Sequence, residues 1–375
     1  MITLGIFADK PDASTGMAVV NHNITLRLRR INPEIRIIYF ARFGRSEGFA
    51  LDSRAYHGYE IVDCVGGVWK SEIVEELIER YKVDIVYSED DWWSANGLVE
   101  ATQNLNVPFY FMTPIDSLPI QREAHDVFRK CEKVFVPNQS YKYIENGVHL
   151  PHAVDWLSFK PLQSRPFKKF TFLWIGRDEE RKALDRVIQA FYKTQKEVPC
   201  NLVVRSNWGS KHRSVNTDQY LKFKNIKIIQ DRMVNCEHEY LAKIYSACHA
   251  FICSSKAGAC EMSVLEAQAC GTPPLVTDWT FMNENVIEGK TGFKIPIDSY
   301  SIQGKINDKE GSGRIWGNIS IDKLSEKMIW MVKNPKKSWK MGMNGMDFMR
   351  KNYNWNDVAE KFYHEVILDY KYNFT

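Results

Sequence analysis

The sequence predicts an α/β protein built from two doubly wound parallel sheets. Its 375 residues exceed what a single hydrophobic core usually organises, so two domains of about 150–200 residues each are expected. Short runs rich in Val, Ile, Phe and Tyr alternate with helical patterns along the whole chain, which is typical of parallel strands covered by helices on both faces. The alternation breaks near the midpoint, at residues 151–169, where three prolines occur.

This break divides the chain into predicted domains at residues 1–155 and 166–352, followed by a predicted C-terminal helix within 353–375. In the first half the predicted strands are Ile2–Phe7, Ile35–Ala41, Asp84–Tyr87, Pro108–Met112 and Lys133–Val136. In the second half they are Phe170–Ile175, Leu202–Arg205, Ile226–Ile229, Ala250–Cys253 and Pro274–Val276. Residues 301–319 are polar and rich in glycine, so they predict a long loop.

The composition is that of a globular protein. Hydrophobic residues make up 44% and charged residues 26% of the chain, and the net charge is +4. This mild positive charge suits an anionic small molecule and falls short of the basic stripe of a nucleic-acid binder, so no nucleic-acid partner is expected. The eight cysteines form no C-x-x-C pair, which predicts buried thiols and no metal site.

The stretch from Phe251 to Asp278 carries the clearest chemical signal. It predicts a strand, a loop of small residues, a helix, a Gly-Thr-Pro turn and a second strand. The backbone N–H groups of Met262 and Ser263, at the start of that helix, can bind phosphate oxygens. Glu266 can accept hydrogen bonds from a ribose diol; the alternative is a glutamate on the helix surface, favoured by the helix dipole.

A second motif lies about 80 residues upstream, where an apolar strand ends at Gly176 and is followed by Arg177, Arg181 and Lys182. Cations at a strand end can neutralise the charge of a departing diphosphate without a metal. Taken alone, the same residues could be solvated loop charges.

Both motifs resemble those of retaining glycosyltransferases of the family 4 (group 1) type, which have the GT-B fold. The resemblance rests on Leu265–Pro273 and on the Gly-Arg…Lys spacing of residues 176–182. It implies two Rossmann-like domains facing a central cleft, with the C-terminal helix within 353–375 crossing back to the first domain. It also implies that Arg177 and Lys182 hold the donor diphosphate and that Arg181 contacts it. It implies transfer of a hexose from a UDP- or GDP-sugar to a hydroxyl of a glycan, lipid or protein-linked acceptor, with retained configuration and without metal or cofactor.

The chain departs from this family at one position. The family has two glutamates eight residues apart, but Gly258 stands eight residues before Glu266. Glu261 is expected to replace the missing carboxylate near the donor sugar; the alternative is that backbone amides of residues 256–260 hold the sugar. Two further functions stay open: a homologue that binds a nucleotide sugar without turnover, and a nucleotide-sugar epimerase.

The N-terminal half contributes candidates at predicted strand ends. Thr15-Gly16 opens a helix after the first strand, and Gly16 resembles the family's phosphate- or acceptor-side glycine loop; the alternative is an ordinary capped turn between a strand and a helix. Asp116 is predicted to orient the acceptor or the sugar, although an Asx turn explains it too. The run from Glu89 to Trp93 suits carbohydrate, or a capped helix start. His152 lies in a phrase that resembles the family's interdomain hinge, where it could be a base or a packed side chain.

The remaining expectations concern location and specificity. The N-terminus lacks a leader pattern and no apolar run approaches a membrane span, so a cytoplasmic protein is expected. A helix bearing Arg27, Arg29 and Arg30 beside apolar residues could rest on the inner face of an anionic membrane, or could be an ordinary solvated face. The nucleotide base is expected to contact residues 231–235.

Overall fold

The fold is described from a computed structural model, which describes residues 1–13, 15–42, 54–64, 69–162, 164–207, 223–231, 238–303 and 314–374. Two parallel sheets, each covered by helices, form the two halves of the chain. This is the α/β architecture that the alternation of strands and helices predicts.

The first sheet has eight strands in the order β3-β4-β2-β1-β5-β6-β7-β8. All neighbours pair in parallel except β3 and β4, which form an antiparallel hairpin. The strands are β1 (Thr3–Asp9), β2 (Arg36–Arg42), β3 (Arg54–Tyr56), β4 (Tyr59–Asp63), β5 (Ile85–Glu89), β6 (Phe109–Met112), β7 (Lys133–Val136) and β8 (Gly147–His149). Its helices are α1 (Gly16–Ile31), α2 (Ser71–Tyr81), α3 (Asn96–Leu105) and α4 (Arg122–Phe128).

The second sheet has six parallel strands in the order β11-β10-β9-β12-β13-β14. Its first strand lies inside the sheet and the chain winds outward in both directions, which makes the sheet doubly wound. The strands are β9 (Thr171–Arg177), β10 (Asn201–Asn207), β11 (Ile226–Asp231), β12 (Ala250–Cys253), β13 (Pro274–Thr277) and β14 (Phe293–Ile295). The helices are α5 (Leu184–Glu197), α6 (His238–Ala247), α7 (Met262–Ala269), α8 (Ile321–Lys333) and α9 (Pro335–Asn352).

Burial on both faces explains why the strands of the second sheet read as continuous apolar runs. In β9, Phe172 and Trp174 pack in the core on one face, together with the buried side of α5, whereas Leu173 packs in the core on the other face, with α7. All the predicted strands are present, and their ends differ from the observed ones by at most two residues. The short strands β3, β4, β8 and β14 have three to five residues and were not predicted.

The C-terminal segment packs against the first sheet. It consists of α10 (Trp355–Phe362), a π-helical turn (Tyr363–Leu368) and α11 (Asp369–Phe374). Phe362 is fully buried and meets the ring of Tyr87 at 4.7 Å between centroids. Lys133 on β7 donates to Asp369 at 2.9 Å. The domain limits drawn from the sequence stay a prediction.

The prediction of a long loop over residues 301–319 is wrong. The described part of this region forms an antiparallel hairpin of β15 (Ile297–Gln303) and β16 (Arg314–Ile319). β16 alternates Ile315, Gly317 and Ile319 with polar or aromatic residues, which is a strand pattern. Trp279 donates to the carbonyl of Ile315 at 3.1 Å and holds the hairpin against the second sheet.

Helix α1 offers no support for the proposed membrane contact. Ile24 and Leu28 are fully buried in the core beneath it. Arg27 donates to Asn356 of α10 at 2.9 Å, and Arg29 donates to the carbonyl of Pro33 at 2.7 Å. The apolar face of α1 is therefore covered by the protein itself. Within the described ranges, no helix combines the length and the apolar character needed to cross a membrane.

Candidate active site

A cleft of about 690 Å³ lies between the two halves. The N-terminal half contributes Gly16 and Asp116 of the predicted site residues to its wall, and the C-terminal half contributes Arg177, Arg181, Lys182, Gly258, Glu261 and Met262. Ser263 and Glu266 are not part of this wall. Parallel strands bring these residues together, because side chains that follow the carboxyl ends of neighbouring strands meet at one edge of a sheet.

An ion pair lies at the centre of the C-terminal wall. Lys182 donates to both carboxylate oxygens of Glu261, at 2.8 and 2.7 Å, and a guanidinium nitrogen of Arg181 is 3.7 Å from Oε1. Burial disfavours the charged form of Glu261, but the charges of Lys182 and Arg181, with hydrogen bonds from Lys182 and Ser255, outweigh it and lower the pKa of this carboxyl. Glu261 is therefore a fixed carboxylate beside two cations.

Glu261 also fills the space beside Gly258. A Cβ added at Gly258 would lie 2.8 Å from Oε1 of Glu261 and 3.1 Å from Cγ of Met282. The carboxylate at position 261 thus folds back to the place where a side chain at 258 would start, as expected for a substitute.

Two of the backbone amides in the alternative sugar site are already engaged. The N–H of Lys256 donates to the carbonyl of Arg181 at 2.7 Å, and the N–H of Gly258 donates to the carbonyl of Asp116 at 3.1 Å. The second bond joins the two halves of the chain across the cleft. The N–H groups of Lys256 and Gly258 thus already have partners within the protein, and the choice between Glu261 and the backbone amides of residues 256–260 as the sugar-binding group stays a prediction.

Arg177 lies at the carboxyl end of β9 and is loosely held. Its side chain is 63% exposed, and its guanidinium is 3.6 Å from a carboxylate oxygen of Glu179. A long exposed side chain with one weak ion pair can turn toward an incoming phosphate at little cost. Lys182, at 18% exposed and bonded to Glu261, is the more rigid of the two cations.

Glu266 lies on the second turn of α7. The hydroxyl of Tyr245 donates to its Oε2 at 2.8 Å. Burial raises the pKa of Glu266, while the Tyr245 hydrogen bond, His238 and Arg205 act in the opposite direction. His238 is in turn 3.8 Å from Asp155 of the interdomain segment. These partners fix the carboxylate on α7, and its contact with a ribose diol stays a prediction. Residues 232–235 of the predicted base loop lie outside the described ranges.

On the N-terminal wall, Thr15 caps α1 as predicted. Its hydroxyl accepts from the N–H of Ala18 at 3.1 Å and donates to Asp9 at 2.9 Å. Asp9 also accepts from Arg42 at 2.9 Å. The next residue, Gly16, begins the helix, and a Cβ there would meet only the sulfur of Met262, at 3.7 Å. The helix start therefore faces α7 closely across the cleft.

Asp116 meets a residue that the sequence interpretation missed. Arg314, the first residue of β16, lies 3.5 Å from Asp116 and 5.7 Å from the ring centroid of Trp93. Arg314 was missed because its segment had been interpreted as a loop; the alternation of residues 315–319 was the signal that could have found it. The cleft thus has a cation on a wall where the sequence suggested only acids and aromatics.

Glu89, at the end of β5, and His152, in the interdomain segment, also line the cleft. Burial, with the charges of Asp9 and Asp90, raises the pKa of Glu89 well above its usual range. Burial alone lowers the pKa of His152 to about 4. Burial therefore favours the neutral form of both side chains.

No group of three or more His, Cys, Asp or Glu side chains that could hold a metal ion occurs among the residues that the structure describes. The expectation of a metal-independent reaction stays a prediction.

Comparisons with known proteins agree with this architecture. Residues 159–308 match the family model described as glycosyl transferases group 1. No curated protein sequence matches the chain at a significant level. Among solved structures, a sucrose-phosphate synthase from Thermosynechococcus elongatus superposes with a TM-score of 0.77 at 13% identity, covering 96% of this chain and 97% of that one.

Two further solved structures carry bound ligands. Anabaena HepE in complex with UDP and glucose has a TM-score of 0.70 at 12% identity, covering 97% of this chain and 99% of its own. The pneumococcal O-GlcNAc transferase GtfA in complex with UDP and GlcNAc has a TM-score of 0.66 at 11% identity, covering 98% and 99%. The fold is GT-B, and the family match supports glycosyltransferase activity at the level of the group.

Proposed function

We propose that this protein transfers a hexose from a UDP- or GDP-sugar to a hydroxyl acceptor, with retention of anomeric configuration and without a metal ion. The observation that carries the proposal is the cluster of Lys182, Arg181 and Glu261 beside Gly258, on the cleft wall next to the start of α7. It combines cations for a diphosphate with a fixed carboxylate for a sugar.

The chemistry follows from these charges. As the glycosidic bond to the diphosphate breaks, negative charge grows on the leaving group, and Arg177 and Lys182 with the first amides of α7 can stabilise it. Glu261 can accept hydrogen bonds from sugar hydroxyls while remaining ionised. Asp116 and the start of α1 at Gly16 face the same space from the other wall, where an acceptor can enter.

Support for a nucleotide-sugar donor comes from two sources. The family model covers residues 159–308, which contain Arg177, Lys182 and Glu266. The solved structures of HepE and GtfA hold UDP with a sugar, and this chain shares their fold. A glycan, a lipid or a protein-linked sugar is the acceptor class that we propose, with the reaction in the cytoplasm.

The first experiment is thermal unfolding of the purified protein with UDP, GDP, ADP and their common sugar conjugates in the presence of EDTA. A selective rise in Tm for one nucleotide is expected, because a ligand that binds only the folded state stabilises it. Turnover of the matching donor, followed by ¹H NMR of the anomeric proton, then reports the configuration of the product. Inversion, or a requirement for added metal, would contradict the corresponding part of the proposal.

One observation favours a second function. The family's first glutamate is absent at Gly258, so the protein could bind a nucleotide sugar without transferring it. Binding in the thermal assay combined with no turnover, including no slow hydrolysis of the donor, would establish this alternative. An epimerase would instead release a changed sugar still joined to its nucleotide.

A further inference from the structure

Two buried polar side chains meet on the N-terminal side of the cleft, apart from the cations and the carboxylate assigned above. Glu89 is 2% and His152 is 8% exposed, and both line the cavity. Oε1 of Glu89 is 3.8 Å from Nε2 of His152. This distance is too long for a direct hydrogen bond.

The polar atoms of this pair lack partners. In the described part of the chain, Oε2 of Glu89 and both ring nitrogens of His152 have no hydrogen-bond partner. Buried polar atoms are almost always bonded in folded proteins, and leaving them unbonded costs free energy. Three such atoms on two adjacent side chains that line one cavity indicate a site that a ligand completes.

The chemical state of the pair defines what it can bind. Glu89 is close to the carboxylates of Asp9 and Asp90, which are already paired with Arg42. A protonated Glu89 can donate one hydrogen bond, and a neutral His152 ring can accept one. A hydroxyl group satisfies both, because it accepts from one and donates to the other. An anion is disfavoured there, because Asp9 and Asp90 bring two negative charges and Arg42 brings one positive charge.

The surroundings identify the class of ligand. Trp92 and Trp93 line the same cavity directly after β5, with their rings at 5.6 Å and nearly perpendicular. Aromatic faces suit the apolar C–H faces of a sugar ring, with its hydroxyl groups reaching polar partners at the edge. The donor phosphates are assigned to the opposite wall, at Arg177 and Lys182.

We propose that Glu89 and His152 together bind one hydroxyl group of a sugar acceptor, and so position that acceptor in the cleft. This inference rests on the proposed glycosyltransferase function and adds the location and class of its acceptor. Glu89 contributes a hydrogen-bond donor rather than a charge. The pair is therefore destabilising in the empty protein, and two of its three unbonded atoms gain a partner when the acceptor hydroxyl enters.

The first test measures Tm without any ligand. Glu89→Leu and His152→Leu should leave Tm unchanged or raise it, because each removes an unbonded buried polar group. Ser88→Ala is the matched control: Ser88 is a buried neighbour on β5 whose hydroxyl donates to the carbonyl of Phe7 at 2.6 Å. It should lower Tm. A fall in Tm for both Leu variants as large as that for Ser88→Ala would overturn the proposal.

The second test measures transfer and hydrolysis separately. The donor is the nucleotide sugar that the wild type turns over, and the acceptor probes are the methyl α-glycosides of glucose, galactose and mannose. Glu89→Leu and His152→Leu should lose transfer about tenfold or more, while donor hydrolysis and nucleotide binding stay at the wild-type level. Glu89→Gln should retain most of the transfer, because its amide still donates a hydrogen bond.

Several outcomes would overturn the proposal. The first is that the Leu variants lose transfer and hydrolysis equally. The second is that Glu89→Gln loses as much transfer as Glu89→Leu. The third is that no methyl glycoside changes transfer by the wild type or its Tm. A different set of results would show that the glycosyltransferase assignment itself is wrong. The wild type would then neither bind nor hydrolyse any nucleotide sugar, while a rise in Tm with a methyl glycoside that is lost in Glu89→Leu would still support the sugar site.

Discussion

Glu261 holds its carboxylate 2.8 Å from the point where a side chain at Gly258 would begin. These residues are three positions apart, and the turn before α7 brings them together. Lys182 fixes the carboxylate from the other side with two hydrogen bonds. This proximity supports the prediction that Glu261 replaces the glutamate that the family has at position 258.

A side chain at position 258 should therefore disturb the site more than the fold. Gly258→Ala places a Cβ against the pinned carboxylate, so we expect donor turnover to fall about tenfold with little change in Tm. Gly258→Glu alone should do worse, because two carboxylates would crowd one site. Gly258→Glu combined with Glu261→Ala moves the carboxylate to the family's position and should recover activity relative to either single variant. The kcat/KM values of the wild type, the two single variants and the double variant form a double-mutant cycle. A double variant no more active than the better of the two single variants would contradict this account.

Lys182 and Arg177 should differ in what they do for stability. Replacing either by Met removes a charge-assisted contact to the diphosphate and should weaken nucleotide binding by about 1.5–3 kcal/mol. Only Lys182→Met leaves the buried carboxylate of Glu261 without its main partner, so it alone should lower the free energy of unfolding at neutral pH. Isothermal titration and denaturant unfolding measure the two quantities. Equal free energies of unfolding for the two variants would show that the Lys182–Glu261 pair does not stabilise the fold.

The Lys182–Glu261 pair predicts an acid limb in the stability curve, that is, a fall in the free energy of unfolding as the pH drops. The folded-state pKa of Glu261 is lowered from the ordinary value of 4.5, so its stabilising contribution is complete above that value and is lost as the pH falls through the lowered pKa. Lys182→Met should flatten this limb. Denaturant unfolding of both proteins across the acid range provides the measurement, and an identical acid limb would count against the charge pairing.

Glu266 should be the residue that distinguishes ribose from deoxyribose. If its carboxylate accepts both hydroxyls of the diol, the wild type should bind the preferred nucleoside diphosphate more tightly than the 2′-deoxy form, by about tenfold. Glu266→Ala should bind both forms equally. Tyr245→Phe, which removes the 2.8 Å hydrogen bond to Glu266, should reduce the preference only in part. A preference that survives in Glu266→Ala would place the ribose elsewhere.

The strand ends and the C-terminal motifs were predictable from the sequence because they depend on local patterns. The pattern at residues 176–182 and the phrase around Glu266 each lie within one strand-to-helix connection, where the order of residues determines their position. Arg314 and the Glu89–His152 pair were different. Arg314 reaches Asp116 only because a hairpin packs beside the cleft, 198 residues away in sequence. The lack of partners at Glu89 depends on how every neighbouring side chain is placed, which no local pattern encodes.

Asp91 should make the protein less stable as the pH rises. Burial, with the charges of Asp90 and Asp116, raises the pKa of Asp91 from 3.8 to about 7, against the opposing effect of Arg314 and Arg42. Between those two values the folded state holds a proton that the unfolded chain has released, so the free energy of unfolding declines with increasing pH and levels off above about 7.

Asp91→Asn stays neutral at every pH, so its free energy of unfolding should lack the decline with rising pH that Asp91 causes. It should match the wild type at the acid end of that range and exceed its stability above about pH 7, by about 1–2 kcal/mol after allowance for the partial exposure of the side chain. Denaturant unfolding at a series of pH values measures the difference. Asp347→Asn, on the exposed side of α9, serves as the control. If the free energies of unfolding of the wild type and of Asp91→Asn change in parallel with pH, then Asp91 is ionised in the folded protein. The charges of Arg314 and Arg42 would in that case outweigh its burial.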